Sequence, residues 1–500
     1  MRQPHQAQQP ENQVGDSKQA DRQNRTSRQP APRRLGPRPL PLHLGLTCAS
    51  WSNSALVLPS LKFVWQHLKE QDAANRGTAP EKSNPGAPET ASRPAALNKP
   101  KLPIPPALAD ALRHLGPQID SADPAALAKA LDDEGHRRFD GFLTGVLAYR
   151  RDGRDLPGRA RPVLWREGTT RLLDYRQRQG KDAAATAPRL LVIPSLVNRY
   201  HILDLDPSIS FLDHLARTGL QPFVVDWDAP GETERNFSLT DYIDRLERAY
   251  DAVRQQPGGP VIVLGYCMGG LLALALAQIC QTGNGGGRQQ QLSRDLAGLV
   301  LLATPWDFHA DQAGHAQAVA EIGRQLEPVL QALGELPVDL LQYFFALLDP
   351  FLVPRKFQSF AALDRSKDTE QAAAQRFVVL EDWINDGVPL AAQVARECLV
   401  DWYGGNVTKR NNWRVGGNII DPVKLHLPSL VMVPSNDRIV PPGSALALGR
   451  ALNGSTIETP AAGHIGMMVG TRAPRDIWPR VTAWIESVAT GGKKAARPAR

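Results

Sequence analysis

A strand, a sharp turn and a helix follow one another in VIVLGYCMGGLLALALA, Val261–Ala277. The run before the first glycine is apolar and rich in β-branched residues, as in a buried strand, and the residues after the turn favour a helix. Gly265 and Gly269 flank Cys267, and small neighbours allow the strained backbone and close approach that expose a side chain at such a turn. The stretch therefore predicts a nucleophile turn that carries a thiol, where serine is more common.

The position of Cys267 at the start of a helix favours its thiolate form. The helix dipole and the free backbone N–H groups of the first turn both stabilise a negative charge there. The amide of Met268 is well placed to donate to an oxyanion. The alternative is that Cys267 is a small buried apolar residue, as cysteines often are. The register of strand, glycines and helix favours the nucleophile, and the chain contains no GxSxG motif that would compete with it.

Two later segments can supply a base and an acid. VPSNDRIVPP (433–442) places Asp437 just after a predicted strand, and ETPAAGHIGMMVG (458–470) places His464 after the next one. This chain order, nucleophile, then acid, then histidine, is typical of α/β-hydrolases. His464 would accept the thiol proton, and Asp437 would orient the imidazole and stabilise its charged form. The alternative for His464 is a surface histidine in a glycine-flanked loop.

The rest of the fold is predicted by short apolar runs with turn residues at their ends. They are RLLVIPS (189–195), QPFVVDW (221–227), PVIVLGY (260–266), GLVLLAT (298–304), SLVMVPS (429–435) and STIETP (455–460). Runs without polar alternation indicate strands that are buried on both faces, and hence a mostly parallel sheet covered by helices. The predicted fold class is α/β: an α/β-hydrolase fold with helices on both faces of the sheet, a helical lid inserted before the strand that carries the acid, and a disordered N-terminal tail.

The predicted organisation has six parts. Prolines in the first part remove hydrogen-bond donors and fix φ, so RQPAPRRLGPRPLPLHLG (28–45) is not expected to form a regular element. VLWREGTTRLLDY (163–175) is interpreted as a strand, a turn and a helix. The parts are a basic Pro/Gln/Arg-rich tail (1–105), an N-terminal helical segment (106–187), the first part of the core (188–306), a lid (307–425), the second part of the core (426–490) and a basic tail (491–500).

Composition disfavours several classes of protein. The net charge of +7 comes from the two tails, so the body does not present the basic surface of a nucleic-acid enzyme. The four cysteines fit neither a zinc site nor a disulfide framework, and reduced thiols in the cytoplasm are the simplest interpretation. No apolar run reaches the roughly 18 residues of a membrane span. HExxH, Walker A and GxGxxG motifs are absent, so neither a metal nor a cofactor is expected.

A thiol nucleophile suits a particular kind of acyl transfer. Cysteine forms a thioester, and exchange between two thioesters is nearly neutral in free energy, whereas transfer of the acyl group to an alcohol is downhill. The pattern favours a transferase that moves acyl groups from a thioester donor, such as an acyl-coenzyme A, to hydroxyls. A cysteine hydrolase remains open.

Several segments between about 125 and 485 resemble the polyhydroxyalkanoate synthases. The lid stretch is closest to the shorter members, which work with a second subunit. The segments are VIPSLVNRYHILDLDPSISFLDHLARTGLQPFVVDW (192–227), DWDAPGETERNFSLTDYI (226–243), LATPWDF (302–308), EDWINDGVPLAAQVARECLVDWY (381–403) and GHIGMMVG (463–470). The resemblance implies polymerisation of 3-hydroxyacyl-coenzyme A into polyester, with the growing chain on Cys267 and release of coenzyme A, which the substrate itself carries.

The resemblance also implies further site residues. A second oxyanion donor is expected from the backbone after IPS, at Leu196 or Val197. Asn198 and Tyr200 are expected to contact substrate, and Arg438, a departure from the family pattern, is a further candidate contact. Arg438 stands where many members carry a histidine, and both pairing with a coenzyme A phosphate and a solvated loop arginine are open for it.

The implied partners are a polyester granule surface and either a second copy of the chain or a companion synthase subunit, in the cytoplasm. Two alternatives stay open. One is a cysteine-nucleophile thioesterase or polyester hydrolase on the same fold. The other is a non-catalytic granule-associated protein.

Overall fold

The structure, a computed structural model, describes residues 34–52, 54–76, 106–153, 160–177, 185–282, 295–311 and 313–491. Most of the predicted N-terminal tail and nearly all of the predicted C-terminal tail, 491–500, lie outside the described residues.

An eight-stranded sheet forms the centre of the fold. The strands of the described chain are β1 (Val163–Glu167), β2 (Thr170–Asp174), β3 (Arg189–Ile193), β4 (Asp204–Asp206), β5 (Ile209–Ser210), β6 (Gln221–Asp226), β7 (Val261–Tyr266), β8 (Leu296–Leu302), β9 (Glu335–Leu336), β10 (Leu390–Ala391), β11 (Arg414–Val415), β12 (Asn418–Ile419), β13 (Ser429–Met432) and β14 (Thr456–Glu458). The sheet order is β1-β2-β6-β3-β7-β8-β13-β14. Strands β6 to β14 in this order are parallel, and β1 and β2 are antiparallel. All six predicted strands and the mostly parallel sheet are confirmed.

Helices cover both faces of this sheet. Those in the described residues are α1 (Leu40–Ser52), α2 (Ser54–Arg76), α3 (Pro106–Ser121), α4 (Pro124–Arg151), α5 (Phe211–Arg217), α6 (Leu239–Arg254), α7 (Met268–Thr282), α8 (Ala313–Gln325), α9 (Glu327–Leu333), α10 (Val338–Leu348), α11 (Leu352–Ala361), α12 (Asp368–Asn385), α13 (Ala392–Arg396), α14 (Pro442–Ala451), α15 (Gly466–Val469) and α16 (Trp478–Ala489). None of these helices combines the length and apolar character that a membrane crossing requires.

The core lies where β3, β6 and β7 meet α6 and α7. Every residue of these three strands is buried, as strands covered on both faces should be. Helix α6 begins with a capping box, in which Ser238 and Asp241 satisfy each other's backbone N–H groups. Helix α7 is apolar on all sides because it is enclosed between the sheet and α6. This burial fixes the start of α7, and with it Cys267, against the end of β7.

The predicted strand–turn–helix at 163–175 is wrong in its last element, because this segment is a β-hairpin. Gly168 takes φ +56° in the turn, a conformation that glycine adopts without strain. Strand β2 then pairs with β1 on one side and with β6 on the other. Leu172 and Leu173 are both buried, as adjacent residues of a strand covered on both faces should be.

The prediction of a disordered tail over 1–105 is wrong for residues 34–52 and 54–76, which carry α1 and α2. Prolines do not prevent α1, because they precede its start or lie in its first turn, where the missing N–H has no helical partner. Leu40 and Leu44 of α1 pack against an apolar cluster formed by α4, α11 and α12. Nothing in the local sequence signalled this contact, because the partner helices lie far along the chain.

A helical cap lies between β8 and β13, within the predicted lid 307–425. It contains α8 to α13 and a π-helical segment, Glu397–Gly404. Helix α11 packs closely on α4, and a Cβ added at Gly145 would lie 2.1 Å from the carbonyl oxygen of Phe357. The cap is therefore joined to the N-terminal helices as well as to the core.

Candidate active site

The turn between β7 and α7 holds Cys267 in a strained conformation. Its φ is +55°, and its N–H donates to the carbonyl oxygen of Leu302 at 2.8 Å. A Cβ at Gly265 would lie 2.4 Å from the Cα of Gly270, and a Cβ at Gly269 would lie 2.2 Å from the carbonyl oxygen of Ile193. Both flanking glycines are thus required by close backbone approaches, as the sequence pattern predicts. The strain is of the kind that accumulates at functional sites.

Asp437 and His464 meet as the chain order predicts. His464 Nδ1 and Asp437 Oδ2 are 2.7 Å apart, and both side chains are almost completely buried. The other carboxylate oxygen of Asp437 accepts the N–H groups of Ile439 and Val440, each at 2.9 Å. Three donors therefore hold the carboxylate in one orientation, and the carboxylate in turn fixes which imidazole nitrogen faces the cavity.

His464 and the Cys267 thiol line the same cavity, and the two groups interact electrostatically. Burial lowers the pKa of His464, but the charge of the Cys267 thiolate and the hydrogen bond to Asp437 more than reverse this and raise the pKa to about 10. Tyr266 donates its hydroxyl hydrogen to the carbonyl oxygen of His464 at 3.2 Å and packs beside the ring. The site therefore favours the protonated imidazole of His464, which can stabilise a negative charge that forms beside it.

A cavity of about 360 Å³ opens over this pair. Cys267 and His464 lie in its wall, and the remaining lining is mostly apolar, with a large share from cap side chains such as Leu341, Phe344 and Trp402. Such an apolar lining lowers the local dielectric constant and strengthens the electrostatic interactions at the wall. The arrangement can therefore take up an acyl chain and present its carbonyl carbon to the thiolate.

The two predicted oxyanion donors also line the cavity. Met268 begins α7 directly after Cys267, and Val197 lies in the loop that follows β3. The N–H of Val197 donates to Ser195 Oγ at 3.2 Å, a weak bond that an oxyanion can replace. Leu196, the other residue considered for this role, is buried in the core. The oxyanion role of Met268 and Val197 stays a prediction.

The three predicted substrate contacts fall in different places. Asn198 lines the cavity, and its buried Oδ1 has no hydrogen-bond partner among the described residues. Arg438 lies at the cavity wall with an exposed side chain that pairs with Asp349 of the cap at 3.2 Å. Tyr200 is buried in the core beside Tyr175 and is not among the described residues that line the cavity.

Sequence reasoning missed several lining residues. Tyr403, on the π-helical segment, lies near the nucleophile, and burial together with the Cys267 thiolate raises its pKa. Arg38 and His43 reach the cavity from the N-terminal segment. The resemblance covered the stretch that contains Tyr403, but no local signal marked Arg38 or His43. Among the described residues, no group of three or more His, Cys, Asp or Glu side chains could hold a metal ion.

Comparison with known proteins identifies the family. The profile of the alpha/beta hydrolase family matches residues 199–477, more than half of the chain. The chain belongs to the alpha/beta hydrolase family. The predicted fold class is confirmed, and the matched range begins in the loop after β3 and includes Cys267, Asp437 and His464.

This alpha/beta hydrolase is similar to the poly(3-hydroxyalkanoate) polymerase subunits PhaC of three organisms. It is 28% identical to that of Haloferax mediterranei over 64% of this chain and 63% of that protein. It is 28% identical to that of Synechocystis sp. over 59% of this chain and 77% of that protein. It is 27% identical to that of Allochromatium vinosum over 65% of this chain and 87% of that protein. The resemblance seen in the sequence motifs is confirmed, and the matched part spans less than two thirds of the Haloferax protein.

Proposed function

We propose that this protein is an acyltransferase that polymerises 3-hydroxyacyl-coenzyme A into polyhydroxyalkanoate with release of coenzyme A. The observation that carries the proposal is the Cys267 thiol on its strained turn, in the wall of an apolar cavity that also contains His464, which Asp437 holds at 2.7 Å. Similarity to the poly(3-hydroxyalkanoate) polymerases supports the same reaction. No resident cofactor or metal takes part, because coenzyme A arrives on the substrate.

The first half of the reaction loads Cys267. His464 takes the thiol proton, and the thiolate attacks the carbonyl carbon of the incoming thioester. The negative charge moves to the carbonyl oxygen, where the N–H groups of Met268 and Val197 would stabilise it. The bond to the coenzyme A sulfur then breaks, and His464 returns its proton to that sulfur. The acyl group is left on Cys267 as a thioester.

The second half forms the polyester. His464 removes the proton from the 3-hydroxyl of another monomer, and the hydroxyl oxygen attacks the carbonyl carbon on Cys267. An ester bond forms as the bond to the Cys267 sulfur breaks, and the resulting thiolate pairs again with the imidazolium. The step from thioester to ester is downhill, and the Cys267 thioester retains the free energy of the coenzyme A thioester until the ester forms. Asp437 keeps His464 in the orientation that both steps need.

Substrate contacts follow from the placement of the predicted residues. The unpartnered Oδ1 of Asn198 can accept the 3-hydroxyl hydrogen of the substrate, because Asn198 is adjacent to the proposed oxyanion donor Val197. Arg438 is exposed at the cavity wall, where a coenzyme A phosphate could replace Asp349 as its partner. We therefore place the thioester carbonyl beside Val197 and the carrier near Arg438.

The proposed partner surface lies on the cap. Phe351 and Leu352 are large apolar side chains with exposed fractions of 42% and 51%, and Leu352 also lines the cavity. An exposed apolar patch at the mouth of a cavity suits contact with a polyester granule. We propose a cytoplasmic, granule-associated enzyme that works either as a dimer or with a companion subunit.

The test is incubation of the full chain with 3-hydroxybutyryl-coenzyme A, with the released thiol measured and the product sized. Polymer is expected from the wild type. Cys267→Ser should abolish polymer formation, and the matched control Cys280→Ser, at a buried thiol outside the cavity, should retain it. Release of free 3-hydroxybutyrate without chain growth would instead establish a thioesterase. A thiol reagent that labels Cys267 no faster than the exposed Cys48 would favour a non-catalytic protein.

A further inference from the structure

The cavity has a polar side that the proposed chemistry does not use. It is formed by His43 of α1, Lys356 of α11 and Glu381 of α12, all of which line the cavity. The segment that carries His43 is held in place by Arg34, whose guanidinium forms a 2.6 Å ion pair with Asp382. The polar side therefore depends on the N-terminal segment as well as on the cap.

Lys356 and Glu381 form a buried ion pair that leaves one carboxylate oxygen unused. Lys356 Nζ lies 2.7 Å from Glu381 Oε1, and the side chain of Glu381 is only 2% exposed. Glu381 Oε2 is buried and has no hydrogen-bond partner among the described residues. Burial raises the pKa of Glu381, and the charge of Lys356 opposes this, so the ionised carboxylate that pairs with Lys356 needs a second donor at Oε2.

His43 presents a second unused atom on the same side. Its Nε2 lies 3.3 Å from the carbonyl oxygen of Arg38, which can only accept, so Nε2 carries the hydrogen in this bond. Burial and the nearby charge of Lys356 lower the pKa of His43, which keeps the ring neutral and leaves Nδ1 as an acceptor. His43 is 1% exposed, and its Nδ1 lacks a partner within the described part of the chain.

The charges of the pair restrict what can bind there. An anion would be attracted by Lys356 but repelled by Glu381, and a cation would meet the reverse. The interior of a polyester offers only ester oxygens, which accept hydrogen bonds and cannot satisfy Glu381 Oε2 or His43 Nδ1. A neutral group that both donates and accepts, such as a hydroxyl or an amide, can bond to Lys356 and to either acceptor at once.

We propose that this polar side, formed by His43, Lys356 and Glu381, binds a hydroxyl or amide group of the thioester substrate. The inference rests on the proposed function for the identity of that substrate. A hydroxyl would belong to an acyl chain with a second hydroxyl beyond C3, and an amide would belong to the pantetheine arm of coenzyme A. In either case the polar side selects substrates, whereas Cys267 performs the chemistry.

Binding to Cys267→Ala, measured by calorimetry with the full chain, tests this without turnover. The ligands are free coenzyme A, 3-hydroxyhexanoyl-coenzyme A and its derivatives with one additional hydroxyl at C4, C5 or C6. If the polar side binds an acyl hydroxyl, one derivative should bind about tenfold more tightly than the parent thioester, as expected for a buried hydrogen bond to a charged pair. If it binds an amide of the carrier, the gain in affinity should already be present in the binding of free coenzyme A.

The decisive variant is Lys356→Met/Glu381→Leu in the same Cys267→Ala background. Both members are replaced because a single substitution would leave a buried charge unpaired, whereas an apolar pair of similar volume is tolerated. The variant should lose the roughly tenfold preference, or lose about tenfold in affinity for free coenzyme A. The control Lys129→Met/Asp133→Leu, at an exposed 2.7 Å ion pair on α4, should change neither. Its melting temperature and that of the decisive variant report on folding.

Three outcomes separate the two proposals. Loss of affinity for either the added hydroxyl or free coenzyme A supports the polar site and identifies its source. If the decisive variant and its control bind every ligand with equal affinity, the proposed polar site is wrong. In that case water forms the missing hydrogen bonds of Glu381 Oε2 and His43 Nδ1. Absence of any binding of a coenzyme A thioester overturns both the polar site and the proposed function. Thiol release and chain growth by the wild type test the proposed function independently.

Discussion

Asp437→Asn tests whether this carboxylate controls the protonation of His464. In the wild type, Asp437 Oδ2 accepts the Nδ1–H of His464 at 2.7 Å, so the other ring nitrogen is free to accept the thiol proton. An asparagine can still accept the N–H groups of Ile439 and Val440 with its oxygen. Its NH₂ group then faces His464 Nδ1 and requires that nitrogen to be unprotonated. The hydrogen moves to the nitrogen that should act as the base.

The size of the effect follows from the same contacts. The pKa of His464 rises from 6.5 to about 10, and Asp437 shares this effect with the Cys267 thiolate. A rise of this size favours the imidazolium by about three to four orders of magnitude. In serine-nucleophile triads the same substitution costs about 10⁴-fold because the wrong tautomer is held in place. A thiol ionises more readily than a hydroxyl, so we expect a loss of about 10²- to 10⁴-fold in kcat/KM, or about 3 to 5 kcal/mol.

The assay follows thiol release from 3-hydroxybutyryl-coenzyme A at neutral pH, with the melting temperature as a second readout. Asp437→Asn should keep a melting temperature near that of the wild type, because the two backbone hydrogen bonds remain. Asp437→Ala should lose both activity and stability, since it leaves the N–H groups of Ile439 and Val440 without their acceptor. An Asp437→Asn variant with more than half of the wild-type kcat/KM would refute the reasoning and reduce Asp437 to an anchor for its loop.

Three further predictions concern the turn, the imidazole and the N-terminal segment. Gly269→Ala should lower the free energy of unfolding, measured by urea denaturation, by about 3 kcal/mol, because its Cβ would lie 2.2 Å from a backbone atom. The control Gly314→Ala, whose Cβ would have no neighbour within 4 Å, should not destabilise the protein. The pKa of His464 measured by NMR should be about 10 and should fall in Cys267→Ala, which removes the thiolate. This folded-state pKa exceeds the unfolded value, so protonation of His464 stabilises the fold fully below about pH 6.5, and this stabilisation is lost as the pH rises through about 10. An unchanged His464 pKa in Cys267→Ala would contradict the interaction between Cys267 and His464. Arg34→Ala should speed amide hydrogen exchange in α1 by about tenfold or more, whereas Arg137→Ala, at an exposed ion pair, should leave it unchanged.

The parts of the fold that the sequence predicts are those set by local pattern. Each parallel strand is a short apolar run buried on both faces, so its hydrophobicity alone marks it. The nucleophile turn is local at Gly265, which is required by a backbone contact within the strand–turn–helix unit, whereas Gly269 is required by the approach of β3. The local pattern did not predict the hairpin at 163–175. Its second strand has adjacent apolar residues because both faces are covered, and the pairing with β1 and β6 distinguishes it from a helix.

The catalytic groups and the polar side of the cavity differ in predictability for a physical reason. Cys267, Asp437 and His464 each follow a strand of the same sheet, and the carboxyl ends of parallel strands converge on one edge, so strand order alone brings them together. His43, Lys356 and Glu381 lie on three helices whose packing depends on tertiary contacts, such as that of Arg34 with Asp382. No periodicity in the chain encodes that convergence. The topology predicted from the sequence can therefore locate the catalytic residues of an alpha/beta hydrolase. The substrate preference of its cavity depends on contacts between helices, which only the folded structure shows.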